Sequence, residues 1–255
     1  MKRAFAAAIG VTFGAAAIFA PTPGHAVATY GSYTYGVLVL SSVTGTGTVE
    51  SIYTVDGDTA NQTGAATSST GSGGYVDGTG PFGIPAGPLA VGSYAGTEAF
   101  VSGSATNGAS DAEILTTTSL TLTNTGSTTM MVTFDLFATF EITTTAGNPG
   151  DTATGGGAIA VVDMDLQQGD PGYFLYDDFR FAVDNGSVMD FPAVMPLLTI
   201  DVAIGQTRTI GFFVDAFGDA QAAITADIPL PAALPLLAVA IGALGFVGRR
   251  RRPAA

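Results

Sequence analysis

Apolar positions recur along the middle of the chain mainly at period two, the spacing of a strand that buries one face and wets the other. Phe134, Leu136, Ala138, Phe140 and Ile142 alternate with Asp135, Thr139 and Glu141, and Phe137 alone is out of phase. Just before them, Leu120 and Leu122 alternate with Ser119, Thr121 and Thr123, and Asn124–Ser127 supplies a turn, so the two segments predict a β-hairpin. Leu198, Ile200, Val202 and Ile204, a Gly205-Gln206 turn, and Ile210, Phe212 and Val214 predict a second hairpin. Between them, Ala160, Val162, Met164 and Leu166 alternate with Asp163 and Asp165, which puts both aspartates on a solvated face. Tyr173, Leu175, Phe179, Phe181 and Val183 read as the apolar face of a further strand. Asp178 and Arg180 lie opposite, and Asp177 sits awkwardly on the apolar side.

The flanking segments are less regular. Tyr30–Val43 ends in a continuous Val-Leu-Val-Leu run, the mark of a buried strand, and Val49–Val55 reads as its partner across a Thr/Gly turn. From about 56 to 97 the chain is rich in Gly, Ser and Thr and reads as a long, mobile loop that contributes at most short edge strands. Gly147–Gly157 reads as a flexible connection, and Ala220–Ala226 as a last strand. Roughly eight short strands without sustained helical periodicity predict an antiparallel β-sandwich over 29–227, of jelly-roll or immunoglobulin-like topology.

Both ends differ from this body. Lys2 and Arg3 precede an apolar stretch, Ala4–Ala20, then Pro21, Pro23 and Gly24, and the small-residue site Ala26-Val27-Ala28. This is the layout of a secretory signal peptide over 1–28, cut after Ala28 or, two residues earlier, after Ala26. At the other end, 228–255, a short motif of Ile228, Pro229, Leu230, Pro231 and Ala232 leads into an uncharged run to Gly248, closed by Arg249, Arg250, Arg251 and Arg252. The run gives about 18 residues of apolar helix, about 27 Å, close to the ~30 Å hydrocarbon core of a bilayer. Four arginines behind a transmembrane helix act as a stop and keep that end cytoplasmic, which places the body on the far side of the membrane.

Charge follows the same division. Six of the eight basic residues lie in the two ends, so the body sets Arg180 and Arg208 against all 21 acidic residues, a net charge of −19. Such a body cannot neutralise phosphates, which excludes nucleic acid as a partner. The chain has no cysteine, so its stability must come from a packed core rather than disulfides. The only histidine, His25, leaves with the signal peptide. That removes Ser-His-Asp and Cys-His nucleophiles and nitrogen- or sulfur-ligated zinc. A carboxylate pair drawn from Asp163, Asp165, Asp177 and Asp178 is the remaining route to catalysis, of the glycosidase kind, and the expectation is that the protein is not an enzyme.

No cofactor is expected, with calcium as the one ion whose oxygen chemistry fits. Its candidate ligands are Asp56 and Asp58, Asp163 and Asp165, and Asp177 and Asp178. The first pair lacks the third ligand, Gly and Glu of an EF-hand loop, and the middle pair suits a solvated strand face as well. Tyr30, Tyr33 and Tyr35 could line a ligand groove, although a packing face suits them better.

The motif, apolar run and arginine cluster at the C-terminus resemble the sorting signal of the PEP-CTERM family of exported bacterial proteins. Leu230 stands where the family usually has Glu, which makes the tail similar to the VPLPA variant, with Ile228 in place of Val. The resemblance implies an exosortase, a membrane protease-transpeptidase, as partner, with the inner membrane as a transient anchor. It also implies a Gram-negative source, delivery to the cell surface or extracellular matrix, and association with exopolysaccharide or biofilm. Two other expectations stand beside it: a Ca-dependent adhesin or carbohydrate-binding module, and a protein held permanently in the inner membrane facing the periplasm.

Overall fold

The computed structural model describes residues 27–76, 86–190 and 197–222. Of the segment read as a signal peptide, 1–28, only Val27 and Ala28 are among them, Ala28 as the first residue of the first strand. The rest of it and the whole segment read as a sorting signal, 228–255, lie outside them. Among the described residues no helix is long and apolar enough to cross a membrane.

The described chain is all-β. Its ten strands are β1 (Ala28–Thr44), β2 (Gly47–Val76), β3 (Ala86–Pro88), β4 (Tyr94–Asn124), β5 (Met130–Ala146), β6 (Thr152–Asp163), β7 (Phe174–Val183), β8 (Ser187–Asp190), β9 (Leu197–Val202) and β10 (Thr207–Ala222). They pair antiparallel in one sheet of order β7-β6-β10-β4-β1-β5-β8, with β2 on β4 and β3, and β9 on β5. The sheet nearly closes into a barrel.

The curvature comes from a ribbon. Strand β2 pairs with β4 from Gly47↔Asn124 to Val76↔Ala95, and a bulge at Ala65/Ala66 shifts the register. In β4 the buried side chains are Ala95, Thr97, Ala99 and Val101 before this point, and Ala112, Ile114, Leu120 and Leu122 after it. The buried set thus passes from odd to even positions, as one extra residue in a period-two strand requires. Gly64 takes a φ of +69° and faces Gly108 across the ladder, and a Cβ on Gly108 would run into the Thr63 carbonyl. Only glycine allows the two backbones to meet this closely.

Beyond this corner the two arms of the ribbon lie face to face. The Thr97 and Thr116 hydroxyls are 2.8 Å apart, Ser110 Oγ donates to the Thr67 carbonyl at 2.6 Å, and Thr70 Oγ1 donates to Asp58 Oδ1 at 2.5 Å. On its other edge β4 pairs with β1 through Tyr94–Ala105 and with β10 through Gly108–Thr123, so each arm extends into a different part of the sheet.

The interior between those parts holds the fully buried Leu38, Leu40, Phe134, Leu136, Phe140, Ile142, Phe212 and Ile159. Glycines set the spacing. The Phe212 ring of β10 lies on Gly36 of β1, and Tyr30 of β1 lies on Gly218 of β10. Gly155 and Gly157 of β6 leave room for Ile142 and Thr34. Ser32 Oγ donates to the Gly156 carbonyl at 2.5 Å. Burying each large apolar side chain stabilises the fold by roughly 1.5–3 kcal/mol.

The barrel stops short of closure between β7 and β8. There Arg180 of β7 donates Nε to Asp190 Oδ2 of β8 at 3.0 Å, pairs with Asp178, and sits 5.5 Å from the centroid of the Phe140 ring. A planar guanidinium suits this place because it stacks on a ring while its rim hydrogen-bonds to two carboxylates.

Several expectations need correction. The segments around Leu120 and Phe134 are not a hairpin: β1 lies between β4 and β5. Leu198–Ile204 and Ile210–Val214 are not one either, since β9 pairs with β5 while β10 pairs with β4 and β6. The turns are real, but the chain uses them to cross between parts of the sheet. Val49–Val55 belongs to β2, which pairs with β4 rather than β1. The 56–97 stretch is mostly ladder rather than mobile loop, because backbone pairing to β4 needs no large side chains; residues 77–85 lie outside the described set. Ala153–Gly157 is likewise strand. The inward faces of Phe134–Ile142, Leu120–Leu122 and Ile210–Val214 are as expected.

The corner yields a test. Gly108→Ala should lower the unfolding free energy by about 2 kcal/mol or more in urea titration, because the obstructing atom is backbone and cannot swing away. Exchange of the neighbouring exposed Asn107 for Ala should change it by less than about 0.5 kcal/mol.

Candidate functional site

Strand β7 carries its large apolar side chains on the outside. Phe174, Phe179, Phe181 and Val183 are 53%, 51%, 57% and 50% exposed, whereas Ala182 is buried and Asp178 and Arg180 face the seam. Of the residues expected in the core, Phe179, Phe181 and Val183 therefore face solvent, while Leu175 packs against the core as expected. The polar side of β7 is taken inward by the Arg180 ion pairs, so Phe179 and Phe181 must point the other way; Phe174 lies beyond a register shift at the start of the strand.

These rings join a larger outer face built by period two from four strands. In β10, Phe213, Asp215 and Phe217 point outward while Phe212, Val214 and Ala216 are buried. Cross-strand pairing sets Asp215 between Leu115 of β4 and Ala158 of β6, and Phe213 between Thr117 and Ala160. Ala158 and Ala160 in turn oppose Phe179 and Asp177 of β7. The small residues Gly156, Ala158 and Ala160 thus form a floor between two walls of aromatic and acidic side chains. Phe217 covers Gly156 and stacks on Phe179 with ring centroids 5.8 Å apart and 13° between planes. Phe179 stacks in turn on Phe181 at 5.9 Å.

On the other side of that stack the floor stays open. A groove of about 280 Å³ is lined by Leu115, Ala158, Ala160, Val162, Tyr173, Phe174, Phe213 and Asp215. The Tyr173 and Phe174 rings meet edge to face at 4.9 Å. Asp215 Oδ1 is buried without a hydrogen-bond partner. Burial pushes its carboxyl up from 3.8 to about 6, helped by the negative charge of Glu113 and opposed by the Ala216 amide. A carboxylate shielded from water beside three aromatic rings has the chemistry to receive a cationic or hydrogen-bond-donating group.

The residues singled out from the sequence are dispersed. Asp163 is fully buried and ion-paired to Arg208, which overturns its place on a solvated face. The true inward set of β6 is Ile159, Val161 and Asp163, and Met164 is exposed. Asp163 Oδ1 accepts the Asp165 N–H at 3.1 Å, Asp165 Oδ2 accepts the Thr209 N–H at 2.8 Å, and Arg208 Nη1 donates to the Asp201 carbonyl at 3.0 Å. This cluster fastens the end of β6 to the start of β10. Asp58 is exposed on β2, and the Asp56 side chain lies outside the described set. Asp177 is exposed on the outer face, while Asp178 is held by Arg180 and by Tyr176 Oη at 3.3 Å. Among the described residues no three His, Cys, Asp or Glu side chains are placed to hold a metal ion.

The tyrosines divide as well. Tyr30 is a core residue whose phenol is pushed up to about 12 by burial. Tyr33 lies on the outer side of β1 and donates to Glu98 Oε2 at 2.9 Å. Asp215, Phe213 and Phe217 were not singled out from the sequence. The adjacent pair Phe212-Phe213 held the signal, since two neighbouring strand residues cannot both face one core. No protein-family model, curated protein or solved structure matches the chain.

Two outcomes follow for the two carboxylates. The folded state keeps Asp215 protonated to higher pH than the unfolded chain does, so stability falls as pH rises from about 4 to about 6. Asp215→Asn should therefore raise stability at pH 7.5 by about 1–2 kcal/mol, after discounting for solvent reaching the groove, and match wild type near pH 4 in thermal melts. Arg208→Met leaves the Asp163 charge buried and alone, and should cost about 3 kcal/mol in urea unfolding at pH 7. Adding Asp163→Asn should recover more than half of that.

Proposed function

We propose that this chain is an exported, non-enzymatic cell-surface or extracellular-matrix protein of a Gram-negative bacterium, sorted by an exosortase acting near Ile228–Ala232. The carrying observation is the fixed order of Pro-rich motif, apolar run and arginine cluster, together with the charged, apolar and small-residue regions of 1–28. The run serves as transient anchor in the inner membrane and Arg249–Arg252 as stop. Association with exopolysaccharide or biofilm belongs to the same reading and rests on the family that the tail resembles.

The body suits such a role. Its charge of −19, from two basic and 21 acidic residues, favours solubility outside the cell. We read the nearly closed sheet as a flattened β-sandwich, nearer a jelly roll than an immunoglobulin-like fold, because a long two-stranded ribbon folds over on itself at Gly64 and Gly108. Two of the four carboxylates considered for glycoside hydrolysis, Asp163 and Asp178, are engaged by arginines, which favours a non-catalytic body.

A second reading, a binding module, is favoured by the exposed phenylalanines of β7 and the groove beside them. In that reading the ligand meets rings and a carboxylate rather than a bound calcium ion, and EDTA leaves the melting temperature unchanged.

Intact-mass and C-terminal peptide analysis of the protein from cell envelope and culture medium tests the sorting reading. Mature chains ending near Pro229–Ala232 and lacking Arg249–Arg252 are the expected result. Persistence of the four arginines in every fraction would make the tail a permanent inner-membrane anchor instead.

A further inference from the structure

We propose that the open groove on the outer face of β10, β6 and β7 binds the ammonium head of a small soluble organic cation, between the rings of Tyr173, Phe174 and Phe213 and against the carboxylate of Asp215. The three side chains and Asp215 line one groove of about 280 Å³, ample for a substituted ammonium and its short tail. Aromatic faces attract a desolvated cation through their quadrupoles, and quaternary ammonium groups are the ligands that aromatic cages recognise best.

Charge decides between a cation and a neutral apolar occupant. Asp215 Oδ1 is already shut off from water and has no hydrogen-bond partner, so the carboxylate's charge is poorly solvated; a cation in the groove would offset that cost, and a neutral ligand would not. Glu113 of β4 and Asp177 of β7 stand on the same outer face and reinforce the negative potential. No basic side chain of the described residues competes there: Arg180 is held at the seam by Asp178 and Asp190, and Arg208 is paired with buried Asp163.

Shape decides between a head group and a polymer. The Phe179–Phe217 stack lies across the floor at Gly156 and shuts that end of the groove, so a chain cannot run along β6 through the site. The assignment rests on the binding-module reading for its use of this face. It is independent of the sorting reading, whose mass analysis succeeds or fails whatever this groove binds.

The test is calorimetric titration of the full chain, in non-ionic detergent at pH 8, with choline chloride and with 3,3-dimethylbutan-1-ol, its uncharged isostere. Choline should bind, and the isostere should bind at least about tenfold more weakly. Asp215→Asn, which keeps shape but removes the charge, and Phe213→Leu, which stays apolar but removes the ring, should each weaken choline by about tenfold. Thermal melts should confirm that both variants fold. Choline affinity should also fall as pH drops through about 6, where Asp215 takes up its proton. Equal binding of the isostere, no choline binding, or wild-type affinity in a folded Asp215→Asn variant would each overturn the proposal. A glucosamine oligomer binding far more tightly than glucosamine itself would overturn the head-group assignment in favour of a polymer.

Discussion

A paired ribbon some thirty residues long cannot bury an apolar face against itself while it stays straight. The β2–β4 ladder solves this by folding over at Gly64 and Gly108, where two backbones approach more closely than any side chain permits. The rest of the structure depends on that corner. It places the two halves of β4 in opposing parts of the sheet, and β1 and β10 extend each half along the same edge. It also makes Thr97 and Thr116 neighbours, so buried hydroxyl side chains hydrogen-bond to one another between the two arms.

The two arginines of the body complete what the ribbon begins. A sheet that curls but does not close leaves two edges, and unpaired edges invite wrong partners. Arg180 bridges those edges from β7 to Asp190 of β8 and rests over Phe140, while Arg208 neutralises Asp163 where β6 meets β10. With 21 acidic residues in the body, each arginine relieves repulsion as well as fastening strands. Neither guanidinium is left on the outer face, so the charged side chains there are all acidic.

The outer face is a consequence of the same packing. Once Arg180 and Asp178 are drawn to the seam, period two forces Phe179 and Phe181 into solvent. Gly155 and Gly157 of β6 let β5 and β1 approach from within, and its outward residues Gly156, Ala158 and Ala160 are small as well. The result is a shallow floor between rings. A groove with an acidic wall arises where a thin inner layer and an inverted edge strand meet.

How much of this was legible in the residues depends on what each pattern encodes. Alternation oriented Phe134–Ile142, Leu120–Leu122 and Ile210–Val214 correctly, since the larger apolar set of each recurs at period two, with Phe137 and Phe213 left on the outer side. It misplaced β6 and β7, because both faces of these strands carry apolar residues, and only contact with Arg208 and Arg180 decides which side turns inward. It paired the wrong neighbours across two real turns, since period two sets a strand's faces but not its partner. The low-complexity 61–74 segment looked unstructured because side-chain pattern says little about a strand held by backbone hydrogen bonds.

By itself, the sequence determined the all-β character, the acidic, cysteine-free body, and the layout of the two ends, all of which rest on local composition and spacing. The pairing order, the buried Asp163, the exposed phenylalanines and the groove at Asp215 were decided only by tertiary structure, because each joins residues brought together from distant strands.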